Sequence, residues 1–278
     1  MRTELAQATL APPYDNARAM AHVAALAALG PRTAGGAAEH EGFDYVADRL
    51  REYGYAVTVQ NVTLPSGRTS HNVIAERAGA SADVVVLGAH ADSKWPSPGA
   101  NDNASGVGVV LELARVFAQA QQAPTVRFIA FGAEEIAGVT ADDHHFGSRQ
   151  YVASLSSAQR SRIAAAVSVD MVGYGTVFNV RSMQVGPPTA VVSLQRWGTA
   201  TGQPLPFLKD LGRYGWSDHE GFERVGIPAA WLEWRVDPAY HTTGDTHAHV
   251  QPARVRACGH LLRGWLLDLD AADLDALH

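Results

Sequence analysis

The chain has 278 residues, 46% of them hydrophobic, with a formal net charge of -6. That apolar share supports a sizeable core. The acidic balance, with no Lys/Arg cluster, excludes a nucleic-acid-binding protein, and no apolar run approaches the roughly 20 residues needed to cross a bilayer.

Cys258 is the only cysteine, which rules out an intrachain disulfide and a thiolate metal site and leans toward a reducing compartment. In chain order, helical spacing marks residues 16–29 and 40–54, the second closing on a glycine stop at Gly54. The stretch "HVAALAALG" (22–30) resembles a signal-peptide core, but it follows a lead carrying Glu4 and Asp15 and lacks a small-residue exit, so it reads as an amphipathic helix. Strands are expected at 55–64 and 71–76, and "VVVL" (84–87) is an apolar run of the buried-strand type. A helix over 106–118 and a strand over 125–131 follow. Next come a helix at 148–155, a strand at 164–172 and a helix at 190–201. A short helix at 217–226, a strand at 228–234 and a closing helix at 253–269 complete the pattern. Strands alternating with helices, with no repeat or linker, predict a single α/β domain over residues 1–278. Its mostly parallel (mixed) central sheet carries helices on both faces.

In such sheets ligands bind beyond the carboxyl ends of the strands. His90 and Asp92 follow "VVVLGA", Glu134 and Glu135 follow "VRFIAF", Asp170 ends "AAVSV", His241 lies beyond "PAAWLEW", and Asp102 belongs to the loop "GANDNASG". Taken singly, each has an ordinary reading as a turn former, a helix cap or a hydrogen-bonded histidine. Independent caps, however, have no reason to converge on one sheet edge. Two histidines with several carboxylates suit zinc, or alternatively manganese or cobalt, and one shared carboxylate suffices to bridge two ions.

The ordered motifs "GAHADS", "GANDNASGVGVVLELAR", "FGAEE", "GSRQYV", "DMVGYG", "SDHEGFERVGIPA" and "YHTTGDT" resemble those of the M28 family of zinc peptidases. That family includes bacterial leucine-type aminopeptidases and the related glutaminyl cyclases. The resemblance spans about residues 71–250. It implies two zinc ions, one held by His90 and Asp170, the other by Glu135 and His241, with Asp102 bridging. It further implies Glu134 as the general base, Tyr240 as a hydroxyl that stabilises the oxyanion, Asp92 as the residue that orients His90, and a cis peptide at Asp102–Asn103. The implied activity is removal of N-terminal residues from peptides with a free N-terminus. Similar bacterial enzymes are often secreted, which implies export, with a cytoplasmic location as the alternative.

Two other readings stay open. A glutaminyl cyclase would use one zinc, and both "HADSK" and the long segment "IAGVTADDHHF" (136–146) point that way. A non-catalytic binding domain of the same fold is disfavoured by the presence of the whole ligand set. The "DDHH" run (142–145) is expected to be a solvated loop, and Ser217 is expected to cap the helix that follows it. Arg213 is either near a substrate terminus or on the surface, and Phe207, Tyr214, Trp231 and Trp234 are expected to pack in the core.

Overall fold

A computed structural model describes residues 11–140 and 142–278. The lead segment with Glu4, and the start of the expected domain at residues 1–10, lie outside the described residues. Two helices open the chain, α1 (Asn16–Ala27) and α2 (Ala37–Glu52). They lead into β1 (Val57–Thr63), β2 (Thr69–Arg77) and β3 (Val84–His90). An irregular helical turn, Ala100–Ala104, runs into α3 (Ser105–Phe117), followed by β4 (Thr125–Phe131), α4 (Phe146–Ser154), α5 (Ser157–Arg160) and β5 (Ile163–Val169). The second half consists of β6 (Val177–Ser182), α6 (Thr189–Ala200), β7 (Phe207–Lys209), α7 (His219–Glu223), β8 (Ala229–Arg235), α8 (Pro252–Asp268) and α9 (Ala271–Leu277).

The eight strands form one mixed sheet in the order β1-β2-β4-β3-β5-β8-β6-β7. The centre, β4-β3-β5-β8, is parallel throughout, whereas β1-β2, β2-β4 and β6-β8 are antiparallel. Every residue of β3 and β5 is buried, as expected for parallel strands covered on both faces. Strand alternation divides the core. Val85, Leu87, Phe128 and Val167 pack toward α1, α2, α3 and α8, while Val84, Val86, Ile129 and Ala166 pack toward Tyr151, Val152 and Phe222 on α4 and α7. The helices of the first layer share Val23, Leu26, Val110, Leu113, Leu262 and Trp265 in the larger cluster.

The sequence reading missed β6, β7, α5 and α9. β6 (VFNVRS) mixes apolar and polar residues but is buried from Phe178 to Ser182. Its strand character comes from antiparallel pairing with β8, in which Arg181 faces Trp231, and local propensity does not report such a partner. The α9 helix is started by Asp270, whose carboxylate accepts from the Asp273 amide while Asp273 reaches back, a reciprocal cap.

Candidate dinuclear metal centre

The parallel strands end side by side, and this places the chemistry. His90 is the last residue of β3 and pairs with Phe131, the last of β4. Glu134 and Glu135 lie three and four residues beyond Phe131, Asp170 follows β5 immediately, and His241 follows β8 by six residues. Asp102 sits in the turn before α3. That turn is pinned by side chains: Asn103 donates to the Val169 carbonyl, and Asp245 accepts the amides of Asn101 (2.6 Å) and Asp102 (3.1 Å). The loop depends on glycine where the backbones meet, since a Cβ on Gly106 would stand 1.9 Å from the Val169 carbonyl oxygen. The peptide bond Asp102–Asn103 is cis.

These side chains converge. One oxygen of Asp102 lies 3.2 Å from Nε2 of His90 and the other 3.2 Å from Nε2 of His241. Asp170 Oδ1 is 3.4 Å from His90 Nε2, and Glu135 Oε1 is 3.0 Å from His241 Nε2. Two adjoining donor groups result: His90, Glu134 and Asp170 on one side, and Asp102, Glu135 and His241 on the other. Both nitrogens of His90, Glu135 Oε1 and Asp170 Oδ1 are buried without a hydrogen-bond partner. Orphaned buried polar atoms are costly unless something binds them, and imidazole and carboxylate donors without sulfur fit a borderline or hard divalent cation. The residues present therefore fit the implied metal.

The electrostatics agree. Burial raises Glu134 to about 8 against the pull of His90 and His145, and burial with the Asp102 charge raises Glu135. Burial also works against ionised Asp102, but the imidazoles of His241 and His90 beside it outweigh it and hold this carboxyl well below the usual range. Burial and the carboxylates of Asp102 and Glu135 raise the Tyr240 phenol, so its hydroxyl stays a donor. The Tyr240 ring stacks on His241 with centroids 3.7 Å apart.

Asp92 has a wider role than its sequence position suggests. It lies 3.5 Å from His90 Nδ1, and its two oxygens accept the amides of Glu134 and Glu135, each at 3.1 Å. The loops after β3 and β4 are thereby locked together. Four of the five non-glycine residues with positive φ among the described residues also stand here: Ala133 (51°) before Glu134, Met171 (53°) after Asp170, His241 (58°) and His145 (53°). Left-handed backbone at such residues costs free energy that the surrounding contacts must over-determine.

Three expectations need correction. The "DDHH" run is not a solvated loop at its end, because His144 and His145 are buried. The chain leaves β4, makes an excursion and returns, with the amides of His145, Phe146 and Gly147 donating to the carbonyls of Glu134, Ala133 and Gly132. This zip carries His145 back beside Glu134. Ser217 does not cap α7; that helix has Asp218 at its N-cap with no side-chain cap bond, and Ser217 Oγ donates to Asp170 Oδ2 at 2.7 Å. Not all of the aromatic set is core. Trp234 is, stacking on Phe178 at 4.8 Å, and Trp231 is buried too while lining the cavity beside the centre, but Phe207 is exposed on an edge strand and Tyr214 lines the same cavity.

That cavity, about 490 Å³, also has Lys94, Ile136, Trp216, Glu233 and Val236 in its walls. Arg213 is exposed on the surface near Asp142. Arg235 and Arg181 stand in the wall, and sequence reading overlooked Arg181. It is buried, bonds Asp210 and Glu233 at 2.8 and 2.9 Å, and lies 4.2 Å over the Trp231 ring. Arg32 was missed as well. Its guanidinium donates to the carbonyls of Ala91, Pro98 and Gly99, bracing the loop after β3.

Comparison with known proteins shows the family and the fold. The description of peptidase family M28 matches residues 72–266. The chain belongs to peptidase family M28. It is 34% identical to aminopeptidase YwaD of Bacillus subtilis over 76% of this chain and 48% of that protein. It spans about half the length of the first curated relatives it matches. In fold it is similar to a zinc aminopeptidase from Bacillus subtilis (TM-score 0.83, 22% identity, 94% of this chain and 98% of the other). A glutaminyl cyclase from Bacteroides thetaiotaomicron is also similar (TM-score 0.80, 21% identity, 94% of this chain and 100% of the other). A zinc aminopeptidase and a glutaminyl cyclase therefore share this mixed-sheet fold.

Proposed function

We propose that this chain is a zinc-dependent aminopeptidase that uses two metal ions to hydrolyse N-terminal residues from peptides with a free N-terminus. The observation that carries this reading is the Asp102 carboxylate, whose two oxygens stand equally close to His90 and His241. A bridging ligand between two donor groups is the arrangement used by dinuclear aminopeptidases. His90 and Asp170 would hold one zinc, Glu135 and His241 the other. Zinc held there supplies Lewis acidity toward water and the scissile carbonyl.

The chain's own residues supply the rest. Glu134 accepts the proton of the attacking water and returns it to the leaving amine, a role suited to a buried carboxylate whose second oxygen faces the two donor groups. The Tyr240 hydroxyl donates to the oxyanion that develops on the carbonyl oxygen. Asp92 fixes the two glutamate amides and so the separation between base and ligand. The cavity bounded by Tyr214, Trp216 and Trp231 receives the N-terminal side chain.

A glutaminyl cyclase is the second reading, favoured by the long segment between Glu135 and α4 and by the similarity in fold. In a site with one zinc held by Asp102, Glu135 and His241, the second donor group around His90 and Asp170 would have no metal to hold, so the first reading is preferred. Zinc-loaded protein assayed with Leu-p-nitroanilide and with an N-terminal Gln-peptide separates them. Release of nitroaniline that a chelator abolishes and zinc restores is expected. Formation of pyroglutamate without nitroaniline release would overturn the aminopeptidase reading.

A further inference from the structure

The buried histidine at the end of the excursion after β4 has no part in the ligand set. His145 Nε2 lies 2.9 Å from Glu134 Oε1, and its Nδ1 lies 2.6 Å from Glu220 Oε2. Carboxylate oxygens accept hydrogen bonds, so with both carboxylates ionised both ring nitrogens donate. Glu220 is fixed in turn by Arg149 (3.0 Å) and Arg224 (2.5 Å). The arrangement runs from two arginines through a carboxylate and an imidazole to the proposed base.

The geometry divides the two oxygens of Glu134. Oε1 is engaged by His145, whereas Oε2 faces the metal centre, 4.0 Å from His90 Nε2. The backbone is held as well, since the Glu134 amide donates to Asp92 and its carbonyl accepts the His145 amide at 2.8 Å. His144, His145 and Glu220 also fall close enough together to suggest a third metal site. A cation is already there, because the Arg149 guanidinium lies 3.0 Å from Glu220 and 3.2 Å from His144 Nε2.

We infer that His145, held by Glu220, is a positioning residue that locks Glu134 with one oxygen turned toward the attacking water. The inference rests on the reading of Glu134 as general base. It explains why the excursion closes through three consecutive backbone hydrogen bonds, an arrangement that sets the imidazole against the carboxylate whatever the outer part of the loop does. A misaimed base lowers the rate of proton transfer without weakening substrate binding.

The test uses the zinc-loaded full chain with Leu-p-nitroanilide and four variants, H145G, H145N, E134Q and the double variant E134Q/H145G. Glycine suits the left-handed backbone at this position and leaves a space for free imidazole, and asparagine provides a second variant should the glycine one fold poorly. Expected are a kcat lower by about 10–100-fold, as for other supporting partners, a KM within about threefold, and unchanged zinc content. Added imidazole should restore part of the H145G rate, and the double variant should be no slower than E134Q. Unchanged kcat in both single variants would overturn the inference. So would loss of zinc, or an equal H145G penalty in the E134Q background. Full activity in E134Q would instead overturn the general-base reading itself, so the two failures are told apart.

Discussion

The hydroxyl of Ser217 donates a 2.7 Å hydrogen bond to the carboxylate of Asp170, 47 residues away in the chain. Ser168 Oγ lies 2.7 Å from the same hydroxyl, so a buried pair of serines orients a proposed metal ligand. Replacing Ser217 with alanine is expected to weaken zinc binding by about 10–100-fold, the usual cost of removing a ligand's supporting partner. Competition with a chelator measures the change. An unaltered affinity would show that Asp170 is held adequately without Ser217.

Glu134→Gln should lower kcat by at least about 10²–10⁴-fold, the range that general-base catalysis contributes. Zinc content should stay near that of the parent, because the proposed ligands are untouched. Elemental analysis beside the nitroanilide assay reads both quantities. Loss of metal with loss of rate would move Glu134 from base to ligand.

Chelation should also lower the unfolding temperature. Asp102, Glu134, Glu135 and Asp170 are all buried around one point, and cations bound only by the folded state stabilise it by mass action, by about 4 kcal/mol at a thousand times the dissociation constant. Thermal unfolding across a zinc titration measures this. A melting temperature independent of zinc would speak against a resident metal.

Arg181→Met should cost about 3–5 kcal/mol, since breaking a buried ion pair strands its partners. Here the group left most exposed to that cost is Glu233, already raised to about 7 by burial against the pull of Arg181, while Asp210 keeps His219 at 2.9 Å. Denaturant unfolding gives the number. The same variant should change the preference among aminoacyl-p-nitroanilides, because Trp231, under the guanidinium, lines the cavity.

His22 yields a prediction of pH dependence. Its ring nitrogens meet the hydroxyls of Tyr45 and Tyr53 at 2.7 and 3.0 Å, and burial, with Arg49 and Arg18 nearby, lowers it from 6.5 to about 4. The unfolded chain therefore binds a proton between these two pH values that the folded chain refuses. Stability is full above pH 6.5 and is lost as the pH falls toward 4, by about 3 kcal/mol for this one group. His22→Gln should flatten that slope, as measured by denaturant unfolding at several pH values. An identical slope in the variant would assign the acid sensitivity elsewhere.

The central strands and most helices were legible because their signals are local. The run 84–87 is apolar on both faces as a covered parallel strand must be, and the α2 helix shows apolar residues at helical intervals up to a glycine stop. The edge strand β7 and the mixed strand β6 were not legible, because a partner decides whether such segments become strands. The proposed ligands were legible as strand-end residues in ordered motifs. His145, Ser217, Arg181 and Arg32 were not, since each acts through partners that sequence spacing does not reveal.

By itself, then, the sequence determined an α/β sheet with His90, Asp102, Glu134, Glu135, Asp170 and His241 at the strand ends and loops of one edge, because strand ends and loop residues follow from hydrophobic periodicity. Only the tertiary structure decided that Asp102 stands between the two histidines, that His145 returns to Glu134 from the end of a long excursion, and that Glu220, 75 residues further on, holds it there. The physical reason is one of range. Periodicity reports which way a side chain points from its own element, whereas polar contacts at 2.6–3.2 Å between buried groups depend on how separate elements pack.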